Sequence, residues 1–181
     1  MLKALSSLFT GKSALSPAAL LYGAGVDQAR QPAFYRDHGV PDSLDGRFDL
    51  LVLHAFLVLR RLNGLGAQGQ AVAQAFSDLI FADMDGNLRE IGVGDLSVGK
   101  KIKAMAKAFF GRLTAYETAL NAASPDELAK ALRRNLYGTV ANPDPAQLAH
   151  LAAYIRAADL ALAGQGAETL LAGRVDFPPV P

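Results

Sequence analysis

Between Asp45 and Gly64 the chain reads DGRFDLLVLHAFLVLRRLNG. Wound as a helix, this segment is apolar on nearly every side, and such a helix has to be enclosed by other elements. Its most apolar run, Leu50 to Leu59, includes His54 and is too short for a bilayer span, which takes about 20 residues. The chain is therefore expected to wrap further helices around this one. With 181 residues, 51% of them apolar, it is long enough to do so as a single domain. Alanine and leucine dominate, and no segment alternates with the period of a half-buried strand. The expected fold is all-α, a single compact domain of about seven or eight helices with this segment as its buried centre.

Local signals place the neighbours. Ser16-Pro17 starts a first helix, with serine as cap and proline in the first turn, and Pro32 opens a short second one that Gly39 and Pro41 end. After the central helix, a fourth is expected from about Gln68 to Ile91. Its apolar stripe runs through Val72, Phe76, Leu79, Ile80, Met84, Leu88 and Ile91. GVGD breaks it, and a fifth runs from about Ser97 to Asn121, burying Ile102, Phe109, Leu113, Tyr116 and Leu120. Ser124-Pro125-Asp126-Glu127 reads as a capping box for a sixth helix that ends near Gly138. Asp144-Pro145 starts a seventh, and AETLLAG adds a last turn or two. Residues 1–15 read as a short leader, too broken by Gly11, Lys12 and Ser13 for a signal peptide; 16–173 form the helical domain, and 174–181 a proline-rich tail.

With no cysteine, disulfides, thiol catalysis and thiolate metal sites are excluded. A net charge of +1 exerts no global pull on nucleic acid or membrane, so electrostatic function has to be local. Two motif readings then fail on spacing. Asp83, Asp85 and Asn87 match the first three ligand positions of a calcium loop, but Leu88 and Gly94 stand where it needs glycine and a bidentate glutamate. Gly94 to Lys101, GDLSVGKK, nearly fits a phosphate loop. It lacks the closing serine or threonine, follows a helix rather than a strand, and carries Asp95 where a phosphate would lie. No metal or other cofactor is expected.

Charge along this region has simpler readings. Asp85 and Arg89 are spaced for a helix-surface pair. Lys100, Lys103 and Lys107 share one face of the fifth helix, with Lys101 and Arg112 nearby, and no exposed aromatic residue is expected among them. Such a face meets water or grips an acidic partner. Arg47, His54 and Arg61, seven residues apart, form a possible second polar stripe on the central helix, where His54 reads as a packed core histidine before it reads as a ligand. No catalytic triad, metal cluster or paired carboxylates stand out, so the chain is not expected to be an enzyme.

Three stretches carry a resemblance: ARQPAFYRDHGVPDSLDGRFDLLVLHAFLVLRRL (Ala29 to Leu62), FADMDGNLREIGVGDLSVGKKIKAMAKAFFGR (Phe81 to Arg112), and RRNLYG (Arg133 to Gly138). They resemble the ubiquinol–cytochrome c chaperone family, assembly factors for respiratory complex III. The resemblance implies a helical chaperone that binds newly made cytochrome b. The ribosome or a small helper protein are further candidate partners, and no specific DNA binding is implied. The matching core begins soon after the start of the sequence, so the chain reads as a bacterial, cytoplasmic member able to visit the inner face of the membrane. On this reading the partner-binding surface comprises Asp83, Asp85, Arg89, Asp95, Lys100, Lys101, Lys103 and Lys107. The alternatives are a helical ligand- or heme-binding protein using His54, and a lipid-surface protein using the basic helix.

Overall fold

The computed structural model describes residues 15–181, which contain eight helices and no strand. In chain order they are α1 (Pro17–Ala29), α2 (Pro32–Arg36), α3 (Leu44–Asn63), α4 (Gly66–Glu90), α5 (Asp95–Asn121), α6 (Asp126–Asn135), α7 (Pro145–Gly164) and α8 (Ala167–Leu171). The expectation of a leader concerns residues that, but for Leu15, lie outside those described.

Every residue of α3 from Val52 to Leu59 is buried. Successive residues turn by about 100°, so a buried run of that length means cover on all sides. The cover comes from α1, α4, α5 and α7, each packed directly on α3, while α6 bridges α5 and α7. The chain is therefore a ring of helices around an apolar axis, as the sequence of α3 demands.

Helix starts follow the side chains that satisfy their free N–H groups. Ser16 Oγ accepts from Ala19 N at 3.2 Å, Ser43 Oγ from Gly46 N at 3.1 Å, and Asp144 Oδ1 from Ala146 N at 2.8 Å. The capping box expected before α6 does not close. Ser124 Oγ accepts from Asp126 N, but the Glu127 carboxylate turns outward to Lys130 at 2.7 Å, a pair that needs no buried geometry. Between α4 and α5, Gly92 adopts φ +84°, Gly92 N donates to Arg89 O, and Val93 N donates to Leu88 O. This is the left-handed C-terminal cap that glycine accepts without a Cβ penalty. It ends the α4 stripe early: Ile91 is 69% exposed rather than part of the core.

The segment after Gly173, which its prolines set apart as a tail, packs back onto the core. Gln165 and Asp176 exchange two hydrogen bonds, Gln28 Nε2 donates to Pro178 O, and His38 Nε2 lies 2.9 Å from Pro181 O. Val175, Phe177 and Val180 contact the apolar cluster, which holds the segment down more firmly than its proline content suggests.

Candidate functional site

The lower halves of α1, α3 and α4 do not meet completely, and a cavity of about 360 Å³ opens between them and α5. Val26, Phe48, Leu51, Ile80, Met84 and Met105 give it carbon walls. Leu44 and Ile91 line it while remaining 65% and 69% exposed, so apolar surface continues from the cavity to the outside. That exposure follows from local sequence. Leu44 is the first residue of α3, just past its Ser43 cap, and Ile91 sits where the Gly92 turn lifts the chain off the core.

The rim is polar and held in place. Tyr22 O–H donates to Asp83 Oδ2 at 2.9 Å, and Asn87 Nδ2 donates to the same oxygen at 3.0 Å. Burial, and then the neighbouring Asp83 carboxylate, push the Tyr22 phenol far above its usual range, so it stays a proton donor. On the opposite rim Arg47 donates to Asp42 at 2.6 Å, and its guanidinium sits 5.8 Å over the Tyr35 ring. The second large cavity, about 640 Å³ against α3 and bounded by α5 and α7, is different in kind. Arg60 crosses it, donating to Asp159 at 2.9 Å, to Asn121 at 3.0 Å and to Glu117. It is occupied by a charge network that links its walls.

The residues expected to form one partner surface separate into four places. Asp83 belongs to the rim of the apolar cavity. Asp85, Arg89 and Asp95 interlock at the α4–α5 junction, where Arg89 Nε donates to Asp85 at 2.6 Å and its Nη1 to Asp95. Both carboxylates raise the Arg89 pKa, and the three side chains form a paired charge cluster at the surface. Lys100, Lys103 and Lys107 lie exposed along the outer face of α5, whereas Lys101 leaves on a different side. Arg112 does not join them: it turns inward, 2.8 Å from Asp49. Phe110, 52% exposed, stands beside the lysines where no exposed aromatic residue was expected. Asp83, Asp85 and Asn87 lie within continuous helix and Gly94 to Lys101 forms the start of α5, so neither segment is a loop.

Arg47, His54 and Arg61 share a helix but not an environment. Arg47 serves the cavity rim, and Arg61 donates to Gln165 O at 2.8 Å. His54 is completely buried, its Nδ1 2.8 Å from Leu50 O and its Nε2 3.2 Å from Tyr154 Oη. The carbonyl fixes the proton on Nδ1, so Tyr154 donates to Nε2, and Gln28 donates in turn to Tyr154. Phe34, Tyr154 and Phe177 close around the ring. Burial lowers the His54 pKa to about 4. With both nitrogens engaged it has none to offer a heme iron; it is a packed core histidine.

Sequence reasoning missed Tyr22, Leu44, Phe48, Ile91 and Met105 as neighbours of one cavity. Leu44 and Ile91 carried a usable signal, since each is a large apolar residue beside a helix-terminal Ser or Gly.

Among the described residues, an enclosed helical scaffold thus presents an apolar cavity with a polar rim. Residues 36–177 match the family described as ubiquinol-cytochrome C chaperone, and the chain belongs to that family. It is 26% identical over 140 residues to ubiquinol-cytochrome-c reductase complex assembly factor 1 of Xenopus laevis, and 26% identical over 165 residues to its counterpart in Mus musculus. These alignments cover 77% and 90% of this chain, but 68% and 55% of those proteins. The chain thus spans little more than half the mouse protein. The crystal structure of the Cbp3 homolog from Brucella abortus superposes with a TM-score of 0.82 at 37% identity, over 91% of this chain and 90% of that one. Assembly of the ubiquinol-cytochrome c reductase complex, the function implied by the resemblance, is the one that the names of the Xenopus and mouse relatives carry.

Proposed function

We propose that this chain is a non-catalytic chaperone that binds newly made cytochrome b and supports assembly of ubiquinol–cytochrome c reductase. The client seat is the apolar cavity between α1, α3, α4 and α5. The observation that carries the placement is the pair Leu44 and Ile91, large apolar side chains exposed at the mouth of a carbon-walled cavity. Exposed apolar surface continuous with a pocket marks an interaction site. Cytochrome b as the client rests on the family. Tyr22, Asp83 and Asn87 give the rim a preformed polar edge that accepts a client without reorganising. No helix among the described residues is long and apolar enough to cross a membrane. The proposed place of work is the cytoplasmic side of the inner membrane, reached peripherally, with a ribosome or helper contact as a further partner.

A photocrosslinking residue at position 44 or 91, present while cytochrome b is translated, tests this directly. Adducts to cytochrome b are expected from both positions. Ile91→Asp beside a crosslinker at 44, and Leu44→Asp beside one at 91, should abolish them while shifting stability by no more than about 0.5 kcal/mol, as exposed substitutions do. Client capture that survives both substitutions would remove the cavity from the proposal. Absence of cytochrome b from every adduct would remove the client.

A further inference from the structure

Helix α5 has a second face whose chemistry the client seat does not use. Viewed down its axis at 100° per residue, Leu96, Lys100, Lys103, Lys107 and Phe110 fall within one narrow stripe. That stripe is opposite the side on which Val98, Phe109 and Tyr116 are buried. Leu96 is fully exposed and Phe110 is 52% exposed, and all three lysines are exposed. Among the described residues no salt bridge involves Lys100, Lys103 or Lys107. No acidic residue occurs in α5 between Asp95 and Glu117, so nothing on this helix neutralises the face. Asp95 itself is engaged by Arg89.

We infer that this face docks α5 along an anionic lipid surface. The stripe runs about 21 Å, parallel to the surface it would meet. Its apolar side chains bracket its charges: Leu96 and Phe110 enter the boundary of the acyl region while the lysines between them reach back to the headgroups. Charge alone would suit RNA equally well, but base stacking needs aromatic faces, and this stripe has one exposed ring. That ring is packed against Phe81 and Phe109 at 5.8 and 5.3 Å, which leaves an edge for insertion rather than an open platform. The inference does not rest on the client reading, since the cavity wall supplied by α5 is Met105, on the far side of the helix.

Flotation of the full chain with vesicles tests it. Vesicles containing phosphatidylglycerol should carry the protein, high salt should release most of it, and phosphatidylcholine vesicles should carry little. Lys100→Ala/Lys103→Ala/Lys107→Ala should weaken partitioning about 100-fold, at about fivefold for each lysine near an anionic surface. Leu96→Ser, at a position that touches nothing, should weaken it about tenfold with an unchanged thermal transition. The inference is overturned if the unaltered chain does not float with anionic vesicles, or binds neutral ones equally. It is also overturned if the triple variant floats normally, or loses affinity for an RNA oligomer while keeping that for vesicles.

Discussion

Replacing Arg112 by methionine removes the cation from a pair that ties α5 to the central helix while keeping most of the side chain's bulk. Arg112 Nη2 lies 2.8 Å from Asp49 Oδ1, and the two side chains keep only 23% and 13% of their exposure. Burial raises the Asp49 pKa to about 6, and Arg112 limits the rise. Without the guanidinium, the carboxylate stays in the same poorly solvated place with nothing to balance it. Breaking a buried pair in this way costs about 3–5 kcal/mol, so the variant should lose about that at neutral pH. Its Asp49 pKa should climb further. The folded state then holds a proton that the unfolded chain releases near ~4. Stability therefore falls as pH rises through the folded pKa, at no more than about 1.4 kcal/mol per pH unit. Acid should recover part of the loss. Asp49→Leu/Arg112→Met, with no charge left to bury, should return close to the parent, as apolar replacements of buried pairs do. Urea unfolding at neutral and mildly acid pH measures all three proteins, provided the denaturant slope is unchanged. A loss below about 1 kcal/mol in the single variant would mean the pair behaves as an exposed one. A double variant no better than the single one would refute the charge argument altogether.

Two further outcomes follow from the same reasoning. Asp49, raised to about 6, makes stability fall as pH rises from ~4 to 6, whereas His54, lowered to about 4 from ~6.5, makes it rise across an overlapping window. These contributions oppose each other, so His54→Leu should unmask a decline with rising pH and Asp49→Asn a gain; urea midpoints across pH with identical slopes in all three proteins would contradict the assignment. Gly92→Ala meets no atom but forces alanine to φ +84°, costing about 1–2 kcal/mol, whereas Gly86→Ala inside α4 should gain about 0.5–1 kcal/mol; equal melting temperatures would argue against the cap.

The helices were legible because their causes are local. Ser16-Pro17, Asp144-Pro145 and the GVGD break each act within one turn of the chain, and the all-round apolar character of α3 requires enclosure whatever its neighbours are. What the sequence hid depends on partners far along the chain. Arg112 has the spacing of a surface cation, and only the approach of Asp49 turns it inward. Ile91 is the exception: it continues the α4 periodicity, but the neighbouring Gly92, which bends the chain there, was a local and readable sign of its exposure. The binding cavity exists because four helices fail to meet, and no periodicity in any one of them records a gap. The fold was therefore readable in advance, while the rim around Asp83 was visible only as one acid in a charged run.

The chamber around His54 also sets an order on folding. Its walls come from Phe34, from Tyr154, which lies 100 residues further along the chain, and from Phe177 beyond that. During synthesis α3 is made long before two of these walls, and contacts so distant in sequence form late because loop closure precedes any reward. A chain interrupted before residue 177 lacks the last wall and leaves one side of its central helix unsealed. Closure of this chamber is thus coupled to the translation of Phe177, so a copy that stops short of that residue exposes a surface that a copy carrying it buries.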